Sequence, residues 1–147
     1  MIERGKFNWD AITPKAPPTA PAASTDCSHT VPVGSKALLT AVFLKLVTSA
    51  GVAERAMQLI VDNGTPTGYK YTTPTGTAMH AHQSASLENY YFYSAGLPVI
   101  DAEDNIVRMM PMCALALRAG DRIRTVVDTL TALDQVTPQW IYQEAPI

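Results

Sequence analysis

The residues Glu54-Arg55-Ala56-Met57-Gln58-Leu59-Ile60-Val61-Asp62 alternate: Met57, Leu59 and Val61 fall on one side of an extended chain, Glu54, Gln58 and Asp62 on the other. A period of two marks a half-buried strand, because successive side chains of a pleated strand point to opposite faces. Asp62-Asn63-Gly64 follows. Asn-Gly tolerates positive φ at both turn centres, so the strand is expected to return as a short hairpin. Upstream, Lys36–Thr48 reads Lys-Ala-Leu-Leu-Thr-Ala-Val-Phe-Leu-Lys-Leu-Val-Thr, apolar in both parities. Ala, Leu and Lys would suit a helix. Thr40, Val42, Val47 and Thr48 are β-branched, and Gly34 and Gly51 punctuate the ends, which favours one long strand packed on both faces.

Outward from this pair the chain reads as further short strands. Gly68–Thr73 lies between Pro66 and Pro74, Thr77–Ser84 alternates, and Leu87–Ser94 carries Tyr90, Tyr91, Phe92 and Tyr93. Ile106–Leu117 is interrupted by Pro111, which removes a ladder donor and implies a bend, bulge or edge. Arg118-Ala119-Gly120-Asp121 is a turn, Arg122–Asp128 alternates, and Gln135–Glu144 closes the series with Pro138 marking an edge. About eight short strands with regular turn signals predict an all-β fold, a β-sandwich or jelly roll. No repeat of the length that builds propellers or solenoids occurs.

The first residues are of another kind. Met1–Asp26 sets Pro14, Pro17, Pro18 and Pro21 among small residues. Proline fixes φ and removes donors, so neither a helix nor a central strand runs through such a segment, which stays extended. The expected organisation is an extended arm over 1–26 and a β-sandwich domain over 27–147. At about 3.1 Å per residue the extended arm spans about 80 Å. An unfolded tail gains nothing from a tryptophan, whereas an arm docking on a partner needs an anchor. Phe7, Trp9 and Ile12, with Pro14, Pro17 and Pro18 as a stiff spacer, are the expected partner-binding residues.

The chain has 147 residues, 47% of them hydrophobic and 16% charged, with a formal net charge of −2. The charged share is below the roughly 25% usual for soluble domains, which suits a chain that buries surface in an assembly. With no basic block there is no nucleic-acid footprint. No apolar stretch reaches the roughly 18 residues of a membrane span, and the first residues do not read as a signal peptide. The chain is expected to be soluble, made in the cytoplasm, with no membrane partner. Cys27 and Cys113 have neither zinc-site nor disulfide-framework spacing and read as two free or buried thiols.

Candidate chemistry is sparse. His80 and His82 share a strand face and would bind zinc or copper only if a third ligand converged, which nothing fixes. Asp101-Ala102-Glu103-Asp104-Asn105 has carboxylates for calcium but lacks the glycine and terminal glutamate of an EF-hand loop, so a solvated turn is the better reading. No nucleophile elbow or phosphate-cradling loop is present. The expectation is a non-enzyme with no cofactor and no metal. Tyr91 and Tyr93, with Arg122 and Arg124, are the expected subunit-interface residues. Alternating aromatics serve core on one face and interface on the other, and two arginines on one strand face suit a carboxylate of a partner chain.

The run from Leu44 to Gly64, with Thr48-Ser49-Ala50 closing one strand, Arg55 in the turn and Asp62-Asn63-Gly64 closing the next, resembles a pattern in virion proteins of tailed bacteriophages. Leu117-Arg118-Ala119-Gly120-Asp121-Arg122-Ile123 is similar to the start of a matching strand in them. The resemblance covers about half of the β domain and carries no catalytic residues. It implies a β-sandwich or jelly-roll virion component, and the arm points to a capsid decoration (cement) protein. Such proteins are similar in using an extended N-terminal segment to strap onto major capsid subunits, commonly as homotrimers. The expected partners are therefore the major capsid protein and further copies of the chain, and the expected location is the outer surface of the capsid. A tail, fibre or head–tail joining protein is the first alternative. A carbohydrate-binding jelly-roll module using the Tyr90–Tyr93 cluster is the second.

Overall fold

A computed structural model of the chain describes residues 13–14, 22–49, 55–65, 68–72, 88–98, 107–128, 130–131 and 133–147. These residues form strands β1 (Thr13–Pro14), β2 (Ser28–Thr30), β3 (Ser35–Val47), β4 (Met57–Asp62), β5 (Tyr69–Thr72), β6 (Glu88–Ser94), β7 (Val107–Pro111), β8 (Leu115–Arg118), β9 (Arg122–Val127) and β10 (Gln135–Pro146). Among them there is no helix, so none is long and apolar enough to cross a membrane. The fold is all-β, as the alternation predicts. One sheet has the order β1-β10-β3-β6-β7, with β8 also on β3, and the second has the order β2-β9-β4-β5. We call them sheets A and B. One hydrophobic cluster draws Leu39, Val42, Leu44, Leu46, Tyr91, Tyr93 and Trp140 from sheet A and Met57, Leu59, Val61, Ile123 and Val127 from sheet B. The two sheets therefore enclose a common core.

Strand β3 organises sheet A. Its inward residues are Ala37, Leu39 and Ala41, then Val42, Leu44 and Leu46, so the buried parity switches between Ala41 and Val42. The register against β10 shifts at the same place, with Ile141 opposite Ala41 and Tyr142 opposite Leu39, which leaves Thr40 as an extra residue. A β-bulge of this kind turns one face of a strand into the other. Thr40 Oγ1 donates to Ile141 O across it, at 3.3 Å. The neighbour on the other edge changes here too: β8 pairs with 36–39 and β6 with 41–47. The mixed parity of Lys36–Thr48 thus reflects a bulge; a uniformly two-sided strand does not describe it.

Two other readings are corrected, and the break expected at Pro111 is found. The Asn63-Gly64 hairpin is longer than a two-residue turn, because Asn63 N–H donates to Gly68 O at 3.0 Å. Asn63 Oδ1 accepts from Thr65 N at 3.1 Å, a side-chain turn that displaces the tight backbone one. A Cβ on Gly68 would overlap the Asn63 side chain, which would have to leave the Thr65 N–H, so glycine lets this turn keep its Asn63 bond. Ile106–Leu117 splits at Pro111 into β7, parallel to β6, and β8, which crosses to β3. The boundary of the arm also moves. Ser24 N–H donates to Asp134 O at 2.7 Å, and Asp26 Oδ1 accepts from Val127 N at 3.0 Å, so the chain joins the body from Ser24 onward. Pro14 pairs with Gln143 and Thr13 with Glu144, an edge position where a missing donor is tolerated. Thr77–Ser84 lies outside the described residues.

Candidate functional site

The outer face of sheet A is built by cross-strand rungs. Thr137 lies opposite Lys45, and Lys45 opposite Tyr90; Gln139 lies opposite Phe43, and Phe43 opposite Phe92. The parallel strand β7 extends the rungs with Val107 beside Tyr90 and Met109 beside Phe92. Because the bulge has flipped the parity of β3, Phe43 and Lys45 stand outside while Leu44 and Leu46 enter the core. Phe43 and Phe92 meet edge to face with centroids 5.3 Å apart, a favoured aromatic geometry. A groove of about 400 Å³ is lined by Phe43, Lys45, Tyr90, Phe92, Thr137 and Gln139. Ile141, one rung further, is half exposed. At one end Lys45 Nζ is 3.2 Å from Glu88 Oε1, and the Tyr90 hydroxyl donates to Glu88 Oε2. These two contacts, the Tyr90 bond foremost, hold the exposed Glu88 carboxyl below its ordinary value, and the same bond raises the Tyr90 hydroxyl. The groove therefore offers aromatic faces beside a fixed charge pair and two neutral polar side chains, a composition suited to binding.

The opposite face of the molecule is spent internally. Asp62 is fully buried on the outer side of sheet B. Arg122 Nε donates to Asp62 Oδ1 at 2.9 Å, Arg122 Nη2 to Oδ2 at 3.1 Å and Arg124 Nε to Oδ2 at 2.9 Å. Burial alone would raise the Asp62 carboxyl, but the two guanidinium groups prevail and bring it from 3.8 to about 2. This corrects the expectation that Arg122 and Arg124 await a partner's carboxylate, since their acceptor is in the same chain. Tyr91 and Tyr93 are likewise not interface residues. Both are fully buried in the core, and it is Tyr90 and Phe92 that face outward.

A second buried lock joins the sheets. Arg55 Nε donates to Asp134 Oδ2 at 2.7 Å and Arg55 Nη2 to Oδ1 at 3.1 Å, with both side chains fully buried. Asp134 also accepts from Ser49 N at 2.7 Å and Thr131 N at 2.8 Å. Burial opposes ionisation of Asp134, but the Arg55 bonds and these backbone donors hold its carboxyl well below the usual range. The lock ties the end of β3, the start of β4 and the start of β10. Asp121 Oδ2 accepts from Arg118 N at 2.6 Å in the turn before β9, where Gly120 has φ +88. The polar residues of the Leu44–Gly64 and Leu117–Ile123 runs, Ser49, Arg55, Asp62 and Asp121, are thus structural fasteners.

Of the remaining candidates, Phe7, Trp9, Ile12, Pro17 and Pro18 lie outside the described residues, as do His80, His82 and 101–105. Among the described residues no three His, Cys, Asp or Glu side chains converge. Cys27 is buried and Cys113 exposed, both as free thiols. Burial pushes the Cys27 thiol up, which disfavours the reactive thiolate. The groove residues Phe43, Thr137 and Gln139 carry no motif. The signal of their grouping in the sequence is Thr40, the polar residue within the apolar stretch Ala37–Leu44. No protein-family model, curated protein or solved structure matches the chain.

Proposed function

We propose that this protein is a non-enzymatic virion component, a decoration protein that binds the outside of a tailed-phage capsid. In this reading it acts as a homotrimer, and the residues before β1 strap onto major capsid subunits. The carrying observation is that the proline-rich segment and the apolar outer face belong to the same sheet. Thr13–Pro14 add to the edge of β10, and β10 supplies Thr137 and Gln139 to the groove. A partner that meets the arm therefore meets the aromatic face as well. Beyond the short β1 contact, the edge of β10 is open among the described residues, which suits pairing with an added strand. Sheet B, whose outward arginines are held by Asp62, has less to offer. The phage-like pattern adds support, since its polar residues serve to fasten the sheets.

Anchoring at β1 shortens the strap. At about 3.1 Å per residue the twelve residues 1–12 reach about 37 Å, enough to cross onto a neighbouring subunit. The mechanism is thermodynamic. A protein that binds only the assembled shell stabilises it by mass action, and three linked copies gain avidity through effective concentration. Deletion of 1–12 leaves every described hydrogen bond of the body in place. The shortened chain is expected to keep its β circular-dichroism spectrum and lose co-sedimentation with capsid shells. Undiminished co-sedimentation would refute the strap. Trp9→Ala is expected to weaken binding by about 2 kcal/mol, roughly 30-fold.

A second reading rests on the groove itself. Tyr90 and Phe92 beside Thr137, Gln139 and Lys45 also fit the stacking and hydrogen bonding of a sugar ring. Glycan binding lost in Phe92→Ala, with capsid binding absent, would favour it.

A further inference from the structure

Among the described residues, Arg55 and Arg122 each close a side-on fork on a carboxylate, while the fork of Arg108 meets no acceptor. In Arg55 and Arg122 the Nε–H and the Nη2–H beside it point the same way and grip a carboxylate, Asp134 and Asp62, at 2.7 to 3.1 Å. Arg108, on the edge strand β7, is as fully buried as Arg55. Its Nη1 donates to Asn89 Oδ1 at 3.1 Å, and its guanidinium carbon lies 5.5 Å from the centre of the Tyr91 ring. Its Nε and Nη2 are buried and have no acceptor, and neither has the buried hydroxyl of Tyr93. Tyr91 pairs with Arg108 and Tyr93 with Met110, and all four are buried, so the hydroxyl and the fork share the inward face of adjacent strands. Nearby, the Tyr71 hydroxyl donates to Pro111 O at 3.3 Å, joining the edge strands of the two sheets beside this spot.

A buried cation without an anion is heavily penalised, and buried donors are nearly always satisfied. The side-on guanidinium fork matches two oxygens of a planar or tetrahedral oxyanion. We propose that Arg108 Nε and Nη2, with the Tyr93 hydroxyl as a further donor, form a buried binding site for a small oxyanion, a carboxylate or phosphate group taken from solution. The site lies on the inward side of sheet A, so it is distinct from the aromatic groove and does not depend on the decoration reading. The bound anion completes the edge between β6 and β7. Its complete burial implies slow exchange.

The test uses the full chain. Thermal unfolding is followed while acetate or inorganic phosphate replaces chloride at constant ionic strength, and the Arg108 Nε–H resonance is followed by NMR. The expected result is a saturable rise in melting temperature, with a separate bound-state resonance in slow exchange. Arg108→Lys keeps the charge but removes the fork and is expected to abolish the saturable part. Tyr93→Phe keeps the ring and is expected to weaken the anion about tenfold. It stands as the check if the lysine variant does not fold. A non-saturable response, or one unchanged in both variants, would overturn the site. A third arm concerns the source of the oxygens. If D101N/E103Q/D104N creates or strengthens the anion response, the chain's own carboxylates fill the fork, and a site for a free anion is refuted.

Discussion

Cutting both sides of the Arg55–Asp134 lock should cost far less than the sum of the two single cuts. Asp134 accepts two hydrogen bonds from Arg55 and one each from the backbone of Ser49 and Thr131. In Arg55→Met the carboxylate stays buried without its cation. In Asp134→Leu the guanidinium stays buried without its carboxylate and keeps the bond from Nη2 to Thr131 Oγ1 at 2.8 Å. Removing one member of a buried pair costs about 3–5 kcal/mol, because the other charge is left in a poor solvent. If the two losses were independent, the double variant would lose about 6–10 kcal/mol, which most domains of this size could not survive. The double variant contains no buried charge at this site. Its remaining cost is the two orphaned N–H groups of Ser49 and Thr131, at about 1–3 kcal/mol each. The double variant is therefore expected to lose about 2–6 kcal/mol and to be no worse than the more damaging single variant. Urea unfolding of the four proteins measures the cycle. Single variants each costing less than about 1 kcal/mol, or a double variant equal to their sum, would refute a desolvated, mutually dependent pair.

Acid should loosen the fold through the same carboxylates. The folded value of Asp62 is about 2 against an ordinary 3.8, and Asp134 is also depressed, so both favour the folded state above pH 3.8. That contribution is lost as pH falls from about 4 through 2, and Asp62→Asn should flatten the loss when melting temperature is followed across this window. Leu133 is 77% exposed with φ +73, a conformation that disfavours L side chains. Leu133→Gly is expected to raise stability in urea unfolding by up to about 1 kcal/mol. Gly68→Ala should lower stability, since its Cβ would displace the Asn63 side chain, with the loss confined to the β4–β5 hairpin in amide exchange. Phe43→Ser, on a half-exposed outer position, should leave the fold intact and weaken capsid binding about 30-fold if the groove is an energetic centre.

The legible parts of this fold were those where one face of a strand is apolar and the other polar. Met57, Leu59 and Val61 against Gln58 and Asp62, and Ile123, Thr125 and Val127 against Arg122 and Arg124, could be assigned from alternation alone. In Tyr90-Tyr91-Phe92-Tyr93 the alternation was readable but its phase was not, since aromatic residues occupy both parities and the inward choice is made by strands distant in sequence. That is why Tyr91 and Tyr93 were expected at an interface and stand in the core. The bulge at Thr40 was hidden for a related reason: a strand that changes its inward parity looks apolar on both faces. Arg122 and Arg124 were correctly placed on one face, but their acceptor Asp62 is set by the β4–β9 register. The parallel pairing of β6 with β7 has no local signature, because it depends on a crossover that only the assembled core rewards.

The central claim is that the arm and the outer face of sheet A together bind a phage capsid. A reconstruction of native particles containing this protein tests it most directly. The account predicts hundreds of copies in trimers on the capsid exterior, with Phe43, Tyr90 and Phe92 turned toward a major capsid subunit and 1–12 crossing to its neighbour. A few copies confined to the tail or neck, or trimers on the capsid that face it with sheet B, would contradict it.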